Sequence, residues 1–361
     1  MTGEYMKEKR YDALTSLKGI FIIGIAIMHF YTEVGRPYDN ILNPIFNMGW
    51  YYGNRYFFMV SGFLMCLAYR DRISGQQTDI AGFVYGRLKK IWPLHILTNA
   101  FVLLCIIAMS HGWREEFELK MIISTGLMIT SGWIEDVFPY NFPTWFICVL
   151  LLCYLIFYVI SKLYGKHRDL YYVALICMIA WGYILEIKEW SFPFCYHNDG
   201  IGFFNFFTGV LVFDLLSLLY ERLDGKRLLA VRAAGLSVLI ASHILFVIFG
   251  IEEVCGDTRF VATLFVLPIL LMLATAGGVV ERVLACRPLV AIGNSSMYIF
   301  YFHVPVITVY SIVNYYKGYT IRPEEGIIAY VLAIAAICIC FTVYDRIGAV
   351  RRGAVKERYD H

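Results

Sequence analysis

Charge is what this chain has least of. Only 16% of its 361 residues are Asp, Glu, Lys or Arg, and the formal net charge is +3. So small a positive excess excludes the broad basic surface that nucleic acid requires, and no nucleic-acid partner is expected. Cys-x-x-Cys pairs and Cys/His sets with zinc-ligand spacing are missing, so no metal site is expected. Of the ten cysteines, all but Cys195, Cys255 and Cys286 lie in apolar runs, where a thiol acts as a small hydrophobe. Pro/Gly/Ser-rich linkers, internal repeats and a second polar domain are absent too. The chain therefore reads as one membrane domain over residues 1–345 and a basic tail over 346–361. A cleavable leader is not expected, because the first apolar run is long and keeps a charge inside it.

What the chain has instead is apolar surface: 59% of residues are hydrophobic and 17% aromatic. That composition predicts an all-α, multi-pass membrane protein. Runs long enough to span, or nearly so, lie at about 13–31, 51–69, 91–110, 143–161, 170–187, 200–220, 228–250, 260–280, 290–312 and 326–344. A shorter stretch, "MIISTGLMITSGWI", occupies 121–134 and is expected to be re-entrant or interfacial. Lys and Arg concentrate in "MKEKR", "GRLKKIW", "SKLYGKHRD", "ERLDGKRLLAVR" and the tail. Ten spans with both termini cytoplasmic put all of these on the inner side, as the positive-inside rule requires. Cys195 and Cys255 then share the outer side, either bridged or as two free thiols.

The first span, "LTSLKGIFIIGIAIMHFY" at 14–31, carries two residues that hydrocarbon disfavours, Lys18 and His29. Eleven residues separate them, three helical turns plus about 20°, so they share a face with a rise of roughly 16 Å. A cation and an imidazole on one stripe suit a polar path or pocket. The plainer alternative is a snorkelling Lys18 and an interfacial His29. One turn beyond, Glu33 is positioned to hold the imidazole in one tautomer and raise its basicity.

Five segments in order resemble the integral-membrane acyltransferase family 3. The first span matches its pattern of Arg or Lys, ten residues, then His, through Lys18 and His29. "NRYFFMVSGFLM" resembles its FFxxSGF segment at Phe57, Phe58, Ser61, Gly62 and Phe63. "FVYGRLKKIWPLH" resembles its RxxRxxP start of the third span through Arg87, Lys90 and Pro93. "PTWFICVLLLCY" and "IGNSSMYIFYFHVPV" resemble its Trp-led span at Trp145 and its late span with His303 and Pro305. The resemblance runs from about residue 11 to 310. It departs in three places: Lys90 stands where Arg is usual, Thr15 where Asp is usual, and no Glu follows Trp145.

The resemblance implies a bacterial cytoplasmic-membrane enzyme that moves an acyl group, usually acetyl, from cytoplasmic acyl-CoA to a hydroxyl of an envelope polysaccharide or lipid-linked sugar. No cofactor is bound permanently; acetyl-CoA or another acyl-CoA is the donor substrate. An extracytoplasmic helper is then expected as a separate protein, or the acceptor itself comes to the membrane. His29 takes the general-base role, Lys18 an electrostatic one, and Arg87, Lys89 and Lys90 the donor phosphates. Three residues have two readings each. Arg55 stabilises an oxyanion or anchors its helix; Trp145 stacks on a substrate face or packs; His303 lines a pocket or makes an interhelical hydrogen bond. From a different class, a transporter or export component would use the same polar stripe as a permeation path.

Overall fold

The computed structural model describes residues 11–34, 43–110, 119–135, 137–188, 190–249, 257–317 and 323–359. Among them every regular element is helical. α1 spans Asp12–Val34. α2 runs from Asn43 to Ser74 through two π-helical turns, Gly49–Gly53 and Cys66–Arg70. Then come α3 (Ile80–Ser110), the short α4 (Leu119–Gly126), α5 (Trp145–Ser161), α6 (Arg168–Lys188), α7 (His197–Arg222) and α8 (Gly225–Phe249). α9 covers Thr258–Thr275 and α10 Val279–Leu284. α11 (Arg287–Asn294), α12 (Ser296–Lys317) and α13 (Pro323–Tyr359) complete the chain.

Nine helices among the described residues are long and apolar enough to cross a membrane. The second expected span, 51–69, is not one of them, although α2 is long enough. Asn54 and Arg55 near its start and Arg70, Asp71 and Arg72 near its end lower its average hydropathy. α2 tolerates this polarity because it is an interior helix: Tyr56, Phe58, Met59 and Phe63 are fully buried. The 121–134 stretch forms one short helix, α4, followed by a turn and the irregular segment Thr130–Ile134, too short to cross. Of the two cysteines expected on the outer side, Cys195 is half-buried and Cys255 lies outside the described residues.

Backbones touch where α2 crosses α7, and that contact requires glycine. A Cβ on Gly62 would strike the Phe206 carbonyl oxygen, and one on Gly209 would strike that of Met59. Close approach through small residues is how helices gain packing energy in lipid, where no hydrophobic force pulls them together. α1 crosses α11 in the same manner at Gly19 and Gly293. By contrast α8 and α13 are the least buried of the long apolar helices, so they lie at the periphery of the bundle, outside the helices that carry the site.

Ion pairs pin α2 at both ends. Arg55 binds Glu186 of α6 bidentately, with side-chain exposures of 13% and 1%. Arg70 binds Asp214 of α7 and lies 3.8 Å from the Tyr164 ring centroid. Charges this deep persist only when paired and further hydrogen-bonded.

Candidate active site

His29 projects from α1 toward α12, where it meets His303. The Nδ1 of His29 lies 2.8 Å from the Nε2 of His303, and the two ring planes are within 9° of parallel with centroids 5.0 Å apart. His303 is fully buried. Its own Nδ1 faces two carbonyl oxygens of its helix, Phe300 at 2.7 Å and Ile299 at 3.0 Å. No carboxylate is paired with either ring among the described residues.

These partners assign the tautomers. Facing only acceptors, the His303 Nδ1 carries hydrogen, so in a neutral ring its Nε2 is an acceptor. His29 must then donate from Nδ1, which leaves its Nε2 with a free lone pair, the nitrogen that can take a proton from a substrate. His29 is only partly buried, whereas its partner is sealed in.

The wall beside His29 is held by a polar network inside the bundle. Asn99 on α3 accepts from the Asn141 backbone at 2.8 Å and donates to Thr144 at 3.3 Å. Asn141 in turn donates to the Tyr301 carbonyl at 3.0 Å. The non-helical turn at 141 is tolerated at this depth because side-chain amides satisfy its backbone. Its successor, Phe142, packs edge-on to the His29 ring at 4.9 Å.

A cavity of about 230 Å³ lies along α1 on the Lys18 side of the histidine pair. Lys18, Asn54, Phe57, Ser61, Phe300 and Tyr301 line it. Ile25, one turn before His29, also contributes, so the cavity occupies the stretch between Lys18 and the imidazole. Tyr154 stands edge-on to the Phe83 ring at 6.3 Å, and the Arg87 guanidinium lies 5.5 Å from that same ring's centroid. The Arg87 guanidinium rests 4.0 Å from the Tyr69 ring centroid, and its Nε and Nη2 are buried with no hydrogen-bond partner among the described residues. Lys18 and Ser61 thus share the lining of one cavity, with His29 one helical turn past Ile25.

Other residues singled out in the sequence sit elsewhere. Glu33 is exposed at the end of α1, and the imidazole is oriented instead by His303. Arg55 spends its forked donors on Glu186, which leaves the oxyanion role without a free guanidinium. Trp145 is 8% exposed and packs against Phe58 and Phe146 in the core, while its neighbours Phe146 and Ile147 line the cavity. Lys89 and Lys90 are exposed at the start of α3, beyond Arg87.

The family whose model matches residues 11–345, described as an acyltransferase domain, covers nearly the whole chain. This chain belongs to that acyltransferase family. No match was found among curated proteins or solved structures. The protein is thus a multi-pass membrane acyltransferase, and the helices that line the cavity beside Lys18 fall within the family match. Sequence reasoning overlooked Asn54, Asn99, Asn141 and Tyr154 in this acyltransferase. Asn99 carried a readable signal, an amide in mid-span four residues after His95, to which it hydrogen-bonds.

Proposed function

We propose that this acyltransferase moves an acyl group, acetyl by preference, from acyl-CoA to a hydroxyl of a cell-envelope polysaccharide or lipid-linked sugar at a bacterial cytoplasmic membrane. The observation that carries the reading is the His29–His303 hydrogen bond, which leaves the His29 Nε2 free one turn beyond a cavity lined by Lys18, Ser61 and Ile25. Donor phosphates bind at the basic end, on Arg87 with Lys89 and Lys90 beside it. The thin arm of the donor lies past Ser61 and Lys18, and its thioester reaches the imidazole. Lys18 steadies the arm electrostatically. The roughly 16 Å between Lys18 and His29 suits that extended arm.

The acceptor hydroxyl attacks the thioester carbonyl carbon as its proton passes to the His29 Nε2. A C–O bond forms, the tetrahedral intermediate expels the thiolate by breaking the C–S bond, and the imidazolium returns the proton to sulfur. His303 holds the ring in the competent tautomer throughout and accepts the Nδ1–H bond, which strengthens as His29 becomes positive. It acts as a positioning residue.

The test is transfer itself. Membranes carrying the protein receive labelled acetyl-CoA and an envelope-glycan extract. Label in the glycan, absent from membranes lacking the protein, supports the reading. Binding of acetyl-CoA by the purified protein with no transfer to any glycan hydroxyl contradicts the acceptor class. Failure to bind acetyl-CoA contradicts the donor.

A further inference from the structure

A second polar feature lies at the basic end and is not used by the path described above. A cleft of about 460 Å³ opens between the turn after α2 and the end of α5. Gln76, Thr78 and Asp79 form one wall, and Tyr158, Lys162 and Lys166 the other. The cavities beside Lys18 and beside α4 are mostly apolar, and this one is mostly polar.

Its groups are arranged to receive an anion with hydroxyls attached. Neither Lys162 nor Lys166 is paired with a carboxylate among the described residues. Lys162 sits 4.9 Å from the Tyr158 ring centroid, and the Tyr158 hydroxyl donates to the Thr78 carbonyl at 3.1 Å, closing the floor of the cleft. The Thr78 hydroxyl is buried without a hydrogen-bond partner. Asp79, the one acid in the lining, accepts from the Gly82 amide at 3.2 Å and so caps α3. A left-handed backbone at Gln76 (φ 59°) turns the wall sharply.

The cleft shares an aromatic wall with Arg87. The Phe83 ring lies 5.6 Å from that of Tyr158, and the Arg87 guanidinium lies 5.5 Å from the Phe83 centroid. Two cationic stations therefore lie against one aromatic pair, Lys162 at Tyr158 and Arg87 at Phe83. An acyl-CoA carries its anionic groups in a matching order. A diphosphate adjoins the arm, and past it a ribose bears a 3′-phosphate.

We infer that the cleft of Thr78, Lys162 and Lys166 is a subsite for the 3′-phosphorylated nucleoside end of the donor, so that the enzyme selects CoA over donors lacking the 3′-phosphate. This rests on the donor reading given above. The two lysines neutralise the phosphate, and the Thr78 hydroxyl is available to the ribose phosphate. The same cationic chemistry would also serve an anionic lipid headgroup.

The test measures binding of CoA and 3′-dephospho-CoA to the purified protein in nanodiscs, made once with zwitterionic lipid and once with added phosphatidylglycerol. Wild type is compared with Lys162→Ala/Lys166→Ala and with Lys162→Arg/Lys166→Arg. The inference expects wild type to favour CoA by at least about tenfold, since charged hydrogen bonds are lost with the phosphate. The alanine pair loses that preference and binds 3′-dephospho-CoA as wild type does, while the arginine pair keeps it. Equal binding of the two nucleotides by wild type overturns the subsite while the donor reading stands. If the alanine pair changes only the effect of phosphatidylglycerol, the cleft serves a lipid headgroup and the subsite is likewise overturned. Absence of CoA binding by wild type overturns both.

Discussion

The imidazoles of His29 and His303, separated by 274 positions in the chain, share a 2.8 Å hydrogen bond between Nδ1 and Nε2. Because the remaining nitrogen of His303 is committed to helix carbonyls, the pair has a direction. His303 orients and His29 reacts.

Replacing His303 tests that division of labour. His303→Ala should lower kcat by about tenfold or more, the loss of one orienting hydrogen bond, and leave the KM for the donor nearly unchanged. Its pH–rate profile should change shape as His29 loses its fixed tautomer. A rise in donor KM at constant kcat would instead assign His303 to binding.

Lys18 lies along the cavity and away from the reacting centre. Lys18→Ala should therefore raise the donor KM by roughly tenfold, as expected for loss of a charge-assisted contact, with a smaller change in kcat. Lys18→Arg keeps the charge and should restore binding. Steady-state kinetics against donor concentration separates these effects.

The Arg55–Glu186 pair should matter for stability more than for chemistry. Arg55→Ala strands the Glu186 carboxylate, of which only 1% is exposed, and should destabilise the fold by roughly 3–5 kcal/mol. Arg55→Met with Glu186→Leu should recover much of that loss. Unfolding of both variants in detergent completes the comparison. Transfer by the stable double variant then separates the roles: the account predicts retained activity, and a catalytic role for Arg55 predicts its loss.

How far the sequence disclosed this arrangement depends on the range of each interaction. Lys18 and His29 share a helix, so their common face followed from periodicity alone. Glu33 looked like the partner of His29 for the same local reason, and a contact from the far end of the chain took its place. Arg55 appeared free because nothing near it in sequence is acidic, and its partner Glu186 lies on α6. Gly62, read as part of a motif, proves to be a helix-crossing contact that no spacing rule reveals. The α2 segment was legible as a long helix in spite of its polar residues, while its burial at the centre was not, since lipid-facing and protein-facing apolar surfaces look alike in sequence.

That crossing gives a prediction of its own. Gly209→Ala should cost about 1–3 kcal/mol, because α2 and α7 must separate to admit a methyl group. Gly86→Ala, on α3 with open space around it, should be neutral or stabilise by about 0.5–1 kcal/mol. Thermal unfolding of both variants provides the paired control.

The most direct measurement is the rate of acyl transfer by His29→Ala, inserted and accumulated like wild type, with and without added imidazole. The account predicts a fall of about 10²–10⁴-fold and a partial return when imidazole enters the cavity left by the side chain. Transfer at the wild-type rate, with no response to imidazole, would contradict it and require a different base.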